Sequence, residues 1–189
     1  MRTCHFTMNK QQKRSFYLTI VRSIFEHCSI IWCPQNSTQL SKFVTIQKRA
    51  IKWINGHQFE RYTEEVFHEN QRDLKILPIN FKFLYNDLTL FFKIVNVLVH
   101  ITLPNYITVA EADRVRYTRQ TAAIVDYVDV TTFRCDIVPN CDCFRNSYFY
   151  RTMLHWNKLP VSVRQVGGIA SFKSALTEFL WSADTSWPD

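Results

Sequence analysis

Among the side chains that could do chemistry, Cys135, Cys141, Cys143 and His155 come first, because thiolates and imidazoles are zinc ligands. Their spacing, C-x5-C-x-C-x11-H, fits none of the common fingers or knuckles, and a Cys-x-Cys pair chelates one ion only in a special turn. Free cysteines in an irregular loop, with no bound metal, are the expectation. A second candidate is Asp129, in Tyr127-Val128-Asp129-Val130. Nucleotidyl transfer needs carboxylates converging on two divalent metals, and Asp129 has neither an adjacent acid nor an upstream strand to supply its partner. It reads as a surface aspartate in an extended segment. No spacing specifies a Cys/His nucleophile pair, and His27 beside Cys28 reads as the boundary residue of a helix. Only three glycines are present, in no Gly-rich string, which argues against a phosphate-cradling loop. The sequence thus predicts no catalytic residue, no metal and no cofactor.

Cations offer a different chemistry. Lys42, Lys48, Arg49 and Lys52 fall on one arc of a helix, opposite an apolar stripe, with Trp53 and Ile46 at its border. A basic arc beside an aromatic ring suits contact with an RNA or DNA backbone, and it is equally ordinary for an exposed helix face. Residues 1–53 hold nine Lys/Arg against Glu26 alone, whereas residues 54–189 hold fourteen against fifteen acids. The whole basic excess lies in the first third. It points to a polyanion or an anionic surface as partner, or to a solvated face that keeps the chain soluble.

The elements that must position these residues follow from periodicity. The chain of 189 residues is 47% hydrophobic and 15% aromatic, which is globular composition. The N-terminus has no apolar core of a secretory signal, and the greasiest run (88–103) is broken by Lys93, Asn96 and His100. No membrane span is expected, and the location is intracellular, cytoplasmic or nuclear, with six reduced cysteines. From Tyr17, apolar residues at Ile20, Val21, Ile24, Cys28, Ile31 and Trp32 predict a helix with Arg22 and Glu26 outward, ended by Pro34. Ser37 or Thr38 caps a second helix reaching Ile54, with Leu40, Val44, Ile51 and Ile54 inward and Asn55-Gly56 as its stop. The two should form an antiparallel hairpin. A short acidic-starting helix then precedes Pro78, and residues 79–100, apolar nearly all round, form a buried central helix. Residues 101–143 are irregular or weakly β. Residues 171–184 resume helical spacing with Ser171 as cap and Phe172, Ala175, Leu176 and Phe179 on one face. The fold class is mostly α, in four stretches (1–58 basic hairpin, 59–100 core helices, 101–143 irregular, 144–189 C-terminal helices).

Three passages together are similar to one family. "YLTIVRSIFEHCSIIWCPQN" (17–36) resembles a segment after the catalytic palm of non-LTR (LINE-type) retrotransposon reverse transcriptases, Jockey-like clade, at Val21, Arg22, Ser23, Glu26, Cys28, Ser29, Trp32 and Pro34. "LSKFVTIQKRAIKWI" (40–54) resembles the next helix at Leu40, Gln47, Arg49, Ala50 and Ile54. "FRNSYFYRTMLHWNKLP" (144–160) resembles a C-terminal block at Ser147, Phe149, Arg151, Thr152, Trp156, Asn157, Leu159 and Pro160, and "ASFKSAL" resembles the Ser-Phe-Lys-x-x-Leu after it. His27 replaces the usual Tyr, and Phe83-Leu84 stands ahead of Asp87-Leu88 where the family often has Arg-Arg. The resemblance implies the thumb and post-thumb end of an RNA-directed DNA polymerase without its metal-binding palm. It also implies accessory, sequence-independent nucleic-acid binding, no polymerase activity of its own, and the missing palm as a partner. A structural or protein-interaction module, or a non-functional relic, stands as the alternative.

Within residues 144–160, Phe149, Met153, Trp156 and Leu159 form one inward stripe ended by Pro160. Arg145, Arg151 and Lys158 are left to face solvent or phosphate. Packing comes first in this passage and nucleic-acid contact second.

Overall fold

Residues 8–56, 63–110 and 132–182 are described by the structure, a computed structural model. The described chain is mostly helical, as the periodicity predicts, and its irregular middle stretch contributes one two-stranded antiparallel sheet. It divides into two units, residues 1–86 and 87–189, with the division falling inside one helix.

In the first unit, Asn9 opens α1 (Lys10–Phe16) through a capping box with Gln12. A π-helical turn (Tyr17–Val21) continues it into α2 (Arg22–Glu26), and α3 (Ser29–Trp32) follows. This path differs from the predicted uninterrupted helix and turns its faces. In the π turn the Arg22 N–H bonds the Tyr17 carbonyl five residues back, so one extra residue rotates everything after it by roughly 100°. Lys13, Tyr17, Arg22 and Ser29 point inward, while Ile20, Ile24 and Ile31 of the predicted apolar stripe lie outside at 52%, 68% and 83% exposure; Val21 still packs on the core and Trp32 on Phe43 and Phe83. Cys28, in the left-handed region at φ 53°, then breaks the helix, and Trp32 Nε1 donates to the His27 carbonyl across the break.

The second helix, α4 (Ser37–Asn55), matches its prediction closely. Its cap is Asn36, whose side chain accepts from the Thr38 N–H, and not Ser37 or Thr38. Gly56 ends it at φ 81°, a conformation open to glycine at little cost. Ile51 and Ile54 are buried beside Tyr17, and with Phe67, Leu74 and Ile76 they form one hydrophobic cluster. Phe67 comes from α5 (Glu64–Asp73), capped by Thr63, and Leu74 and Ile76 from the turn after it. Phe25, Trp32, Phe43 and Phe83 make a second contact set, with ring centroids 5.3 to 5.9 Å apart. Phe83 and Leu84, standing where the resembled family often has arginines, are buried.

Polar groups pin this core at one carbonyl. Leu77, just before Pro78, accepts from Arg22 Nη2 at 2.9 Å and from Gln47 Nε2 at 3.0 Å. Arg22 also donates to Glu26 at 2.7 Å, and Glu26 pairs with Lys82. Arg22, 4% exposed, is therefore interior; the prediction that it faces outward fails because the π turn carries it to this acceptor.

The central helix α6 (Ile79–Val95) is apolar and buried as expected but ends earlier than residue 100. Val97 turns left-handed, and the Leu98 N–H bonds the Lys93 carbonyl, which closes the helix while the hydrophobic run continues into exposed residues.

In the second unit, β1 (Ile107–Val109) pairs antiparallel with β2 (Phe133–Cys135), Val109 opposite Phe133. Residues 121–131, part of the predicted weak strand and including Asp129, lie outside the described residues. After the short α7 (Asp142–Arg145) comes α8 (Tyr148–Lys158). Met153, Trp156 and Leu159 are buried as the stripe predicts, and Phe149 is half-buried. Trp156 sits among Phe91, Phe92 and Phe172, and Phe92 stacks on Phe172 at 4.2 Å. Asn157 docks the strand: its amide donates to the Phe133 carbonyl at 2.6 Å and accepts from the Phe133 N–H at 3.0 Å. A short α9 (Val161–Arg164) leads to α10 (Ile169–Ser182), which buries Phe172, Leu176 and Leu180. Ser171 lies inside α10 and does not cap it; the helix begins after Gly168 at φ 111°.

Candidate functional site

Thr45, Lys48, Arg49 and Lys52 are spaced i, i+3, i+4 and i+7 on α4, so they share one face. Thr63, Glu64 and Phe67 come from the first turn of α5, held in helical geometry by the Thr63 cap. Together these seven residues line a groove of about 250 Å³. Lys42, one turn nearer the start of α4, is exposed on the same face. Of the sequence-predicted set, Lys42, Lys48, Arg49 and Lys52 are thus brought together.

The groove is not uniformly positive. Glu64 bridges Lys48 through both carboxylate oxygens, at 2.5 and 2.8 Å. Hydrogen bonding to Lys48 holds the Glu64 carboxyl below its ordinary value, so Glu64 is charged throughout the neutral range. The Lys48 ammonium also lies 5.3 Å from the Phe67 ring centroid. Arg49 is exposed and carries no ion pair among the described residues. Two hydroxyls, three cations and one carboxylate can bind an anion. They lack the converging acids that phosphoryl-transfer metals require.

The remaining predicted residues lie elsewhere. Trp53 is half-buried against α1, where Phe16 meets its ring edge-on at 6.2 Å and Lys13 lies 5.5 Å from its centroid. It does not line the groove. Arg145, in the second unit, is exposed and pairs with Asp142 at 3.1 Å.

Arg151, expected to face solvent or phosphate, is buried in that unit. Its Nε and Nη2 both donate to Asp87 Oδ2 at 3.1 Å, and Nη1 donates to the Asn146 carbonyl at 2.8 Å. Tyr148 donates to the Asp87 carbonyl and lies against the guanidinium. Burial pushes the Asp87 carboxyl up to about 6 against the pull of Arg151, and Oδ1 has no hydrogen-bond partner among the described residues.

Among the described residues no cluster of three His, Cys, Asp or Glu side chains is placed to hold a metal. Cys141 and Cys143 are exposed, Cys135 donates to the Ile137 carbonyl, and His155 is held near a pKa of about 4 by burial and by Lys158 and Arg151. No described helix is long and apolar enough to cross a membrane.

Sequence reasoning missed Thr45, Thr63, Glu64 and Phe67. Thr45 was available from its i−3 relation to Lys48. The α5 residues depend on how the two helices meet, which local spacing does not encode. The chain matches no protein-family model, no curated protein and no solved structure.

Proposed function

We propose that the chain is the thumb and post-thumb end of a non-LTR retrotransposon reverse transcriptase without its palm, and that it binds nucleic-acid backbone without sequence preference through the α4–α5 groove. The observation that carries the reading is the convergence of Lys48, Arg49 and Lys52 on one open groove. It lies in a unit with thirteen Lys/Arg against six Asp/Glu, whereas residues 87–189 have ten of each. All the net charge of +7 sits with the groove.

The residues that carry the resemblance support the fold part of the reading in a particular way. Arg22 and Gln47 donate to the Leu77 carbonyl, Glu26 accepts from Arg22, Arg151 holds Asp87, and Asn157 holds Phe133. They act as packing determinants, as befits a segment retained for shape and not for catalysis.

Binding is tested with a fluorescein-labelled poly(dT) strand and an unrelated RNA of equal length. Affinity is expected to fall linearly on a log–log salt plot, with a slope of about −0.7 per phosphate neutralised on a single strand. The double variant Arg49→Glu/Lys52→Glu should weaken both probes alike. Full affinity in that variant, with unchanged circular dichroism, would place binding elsewhere. Supplied with template, primer, dNTPs and magnesium, the chain is expected to extend nothing.

A further inference from the structure

We propose that Glu64 is a built-in competitor for the groove's phosphate: its carboxylate occupies the Lys48 ammonium, and a ligand binds by exchanging one anion for another. The proposal rests on the α4–α5 groove reading and adds the device that sets its affinity.

The geometry shows why this carboxylate can stand in for a phosphate. Both Glu64 oxygens face one ammonium, at 2.5 and 2.8 Å, as two oxygens of a phosphate would. The pair lines the groove beside Arg49 and Lys52 and is not part of the core. Glu64 is 69% exposed and Lys48 34% exposed, so water and salt screen the bond and it adds little to folding. A contact of that kind can be given up without disturbing the packing beneath it. Phe67, under the Lys48 ammonium, is buried in the hydrophobic cluster and stays in place when the carboxylate leaves.

Two consequences separate this device from a structural salt bridge. While Glu64 is bound, Lys48 is already neutralised and contributes no net charge toward a phosphate. Removing the carboxylate charge therefore adds one effective cation to the site. A unit charge about 4 Å away in water corresponds to roughly a fivefold change in binding. Because the exchange brings Lys48 onto a phosphate in either case, the number of phosphates neutralised is the same, and the gain should come with an unchanged salt slope, unlike an added contact.

The test uses the full chain and its Glu64→Gln and Glu64→Asp variants, with labelled poly(dT) as probe and inorganic pyrophosphate as a second probe. Circular dichroism and thermal melting establish that each variant is folded. Glu64→Gln should bind poly(dT) about fivefold more tightly with an unchanged slope, and Glu64→Asp should remain near wild type. Binding seen only in Glu64→Gln also supports the exchange. If pyrophosphate alone shows the gain, the exchange stands and the nucleic-acid reading fails. If Arg49→Glu/Lys52→Glu loses binding while Glu64→Gln keeps wild-type affinity, the exchange is overturned and the groove reading survives. No binding of either probe by the wild type or Glu64→Gln at low salt overturns both.

Discussion

Each unit buries an arginine that its sequence context placed outside, and the two solve the resulting charge problem differently. In the first unit Arg22 donates to the Leu77 carbonyl and to a partly exposed Glu26. In the second, Arg151 meets Asp87, a carboxylate as buried as itself. A backbone carbonyl cannot titrate, whereas a desolvated carboxylate can. The first unit should therefore respond to salt through its surface, and the second to pH through its interior.

The largest effect should come from unpairing Asp87. Arg151→Met leaves a buried carboxylate without its partner and should cost about 3–5 kcal/mol in denaturant unfolding. Adding Asp87→Leu should recover most of that loss, because two apolar groups replace the pair. A double variant as unstable as the single one would show that Arg151 matters for packing alone.

The pH response comes next and contains a cancellation. Asp87 has an ordinary carboxyl value of 3.8 and sits near 6 in the fold. Between those values the folded chain holds more protons, so this group adds stability as pH falls through 6 toward 4. His155 is lowered from 6.5 to about 4. Between those values the unfolded chain holds more protons, so this group removes stability over nearly the same window. The two act with opposite sign over overlapping windows, so each opposes the other in the wild-type profile. Relative to wild type, Asp87→Asn should lose stability on acidification from pH 6.5 to 4, and His155→Gln should gain it. Parallel profiles for all three proteins would remove the comparison's pH half.

A smaller effect is expected at Arg22. Arg22→Met should cost about 1–3 kcal/mol, since the Leu77 carbonyl keeps Gln47 as donor. Its cost should not change between pH 4 and 7 beyond the wild-type trend, unlike that of Arg151→Met. The smallest effect is on the groove face. Arg49→Glu/Lys52→Glu should shift stability by no more than about 0.5 kcal/mol per substitution while its nucleic-acid affinity falls.

How much was readable in advance divides along the same line between local and distant causes. The extent of α4 was legible because its stop, Asn55-Gly56, and its inward Ile51 and Ile54 act within a turn or two of themselves. The buried Met153, Trp156 and Leu159 were legible for the same reason. The faces of α2 were not: one π turn rotates them by roughly 100°, and nothing in the apolar spacing announces the extra residue. Arg151 was misplaced because Asp87 lies 64 positions away. In the candidate site the cations were visible as an arc on one helix. The groove was not, since Thr63, Glu64 and Phe67 of its wall come from α5 and its cap.

The Leu77 carbonyl carries a consequence for how this chain can drift in evolution. Arg22 and Gln47 both answer to an acceptor that belongs to the main chain. Every residue at position 77, proline included, presents that same carbonyl oxygen, so no second-site change there can compensate for losing either donor. Among relatives, positions 22 and 47 should hold their residues without co-varying with position 77. A contact map inferred from correlated substitutions would leave this junction blank, although three segments of the first unit meet there.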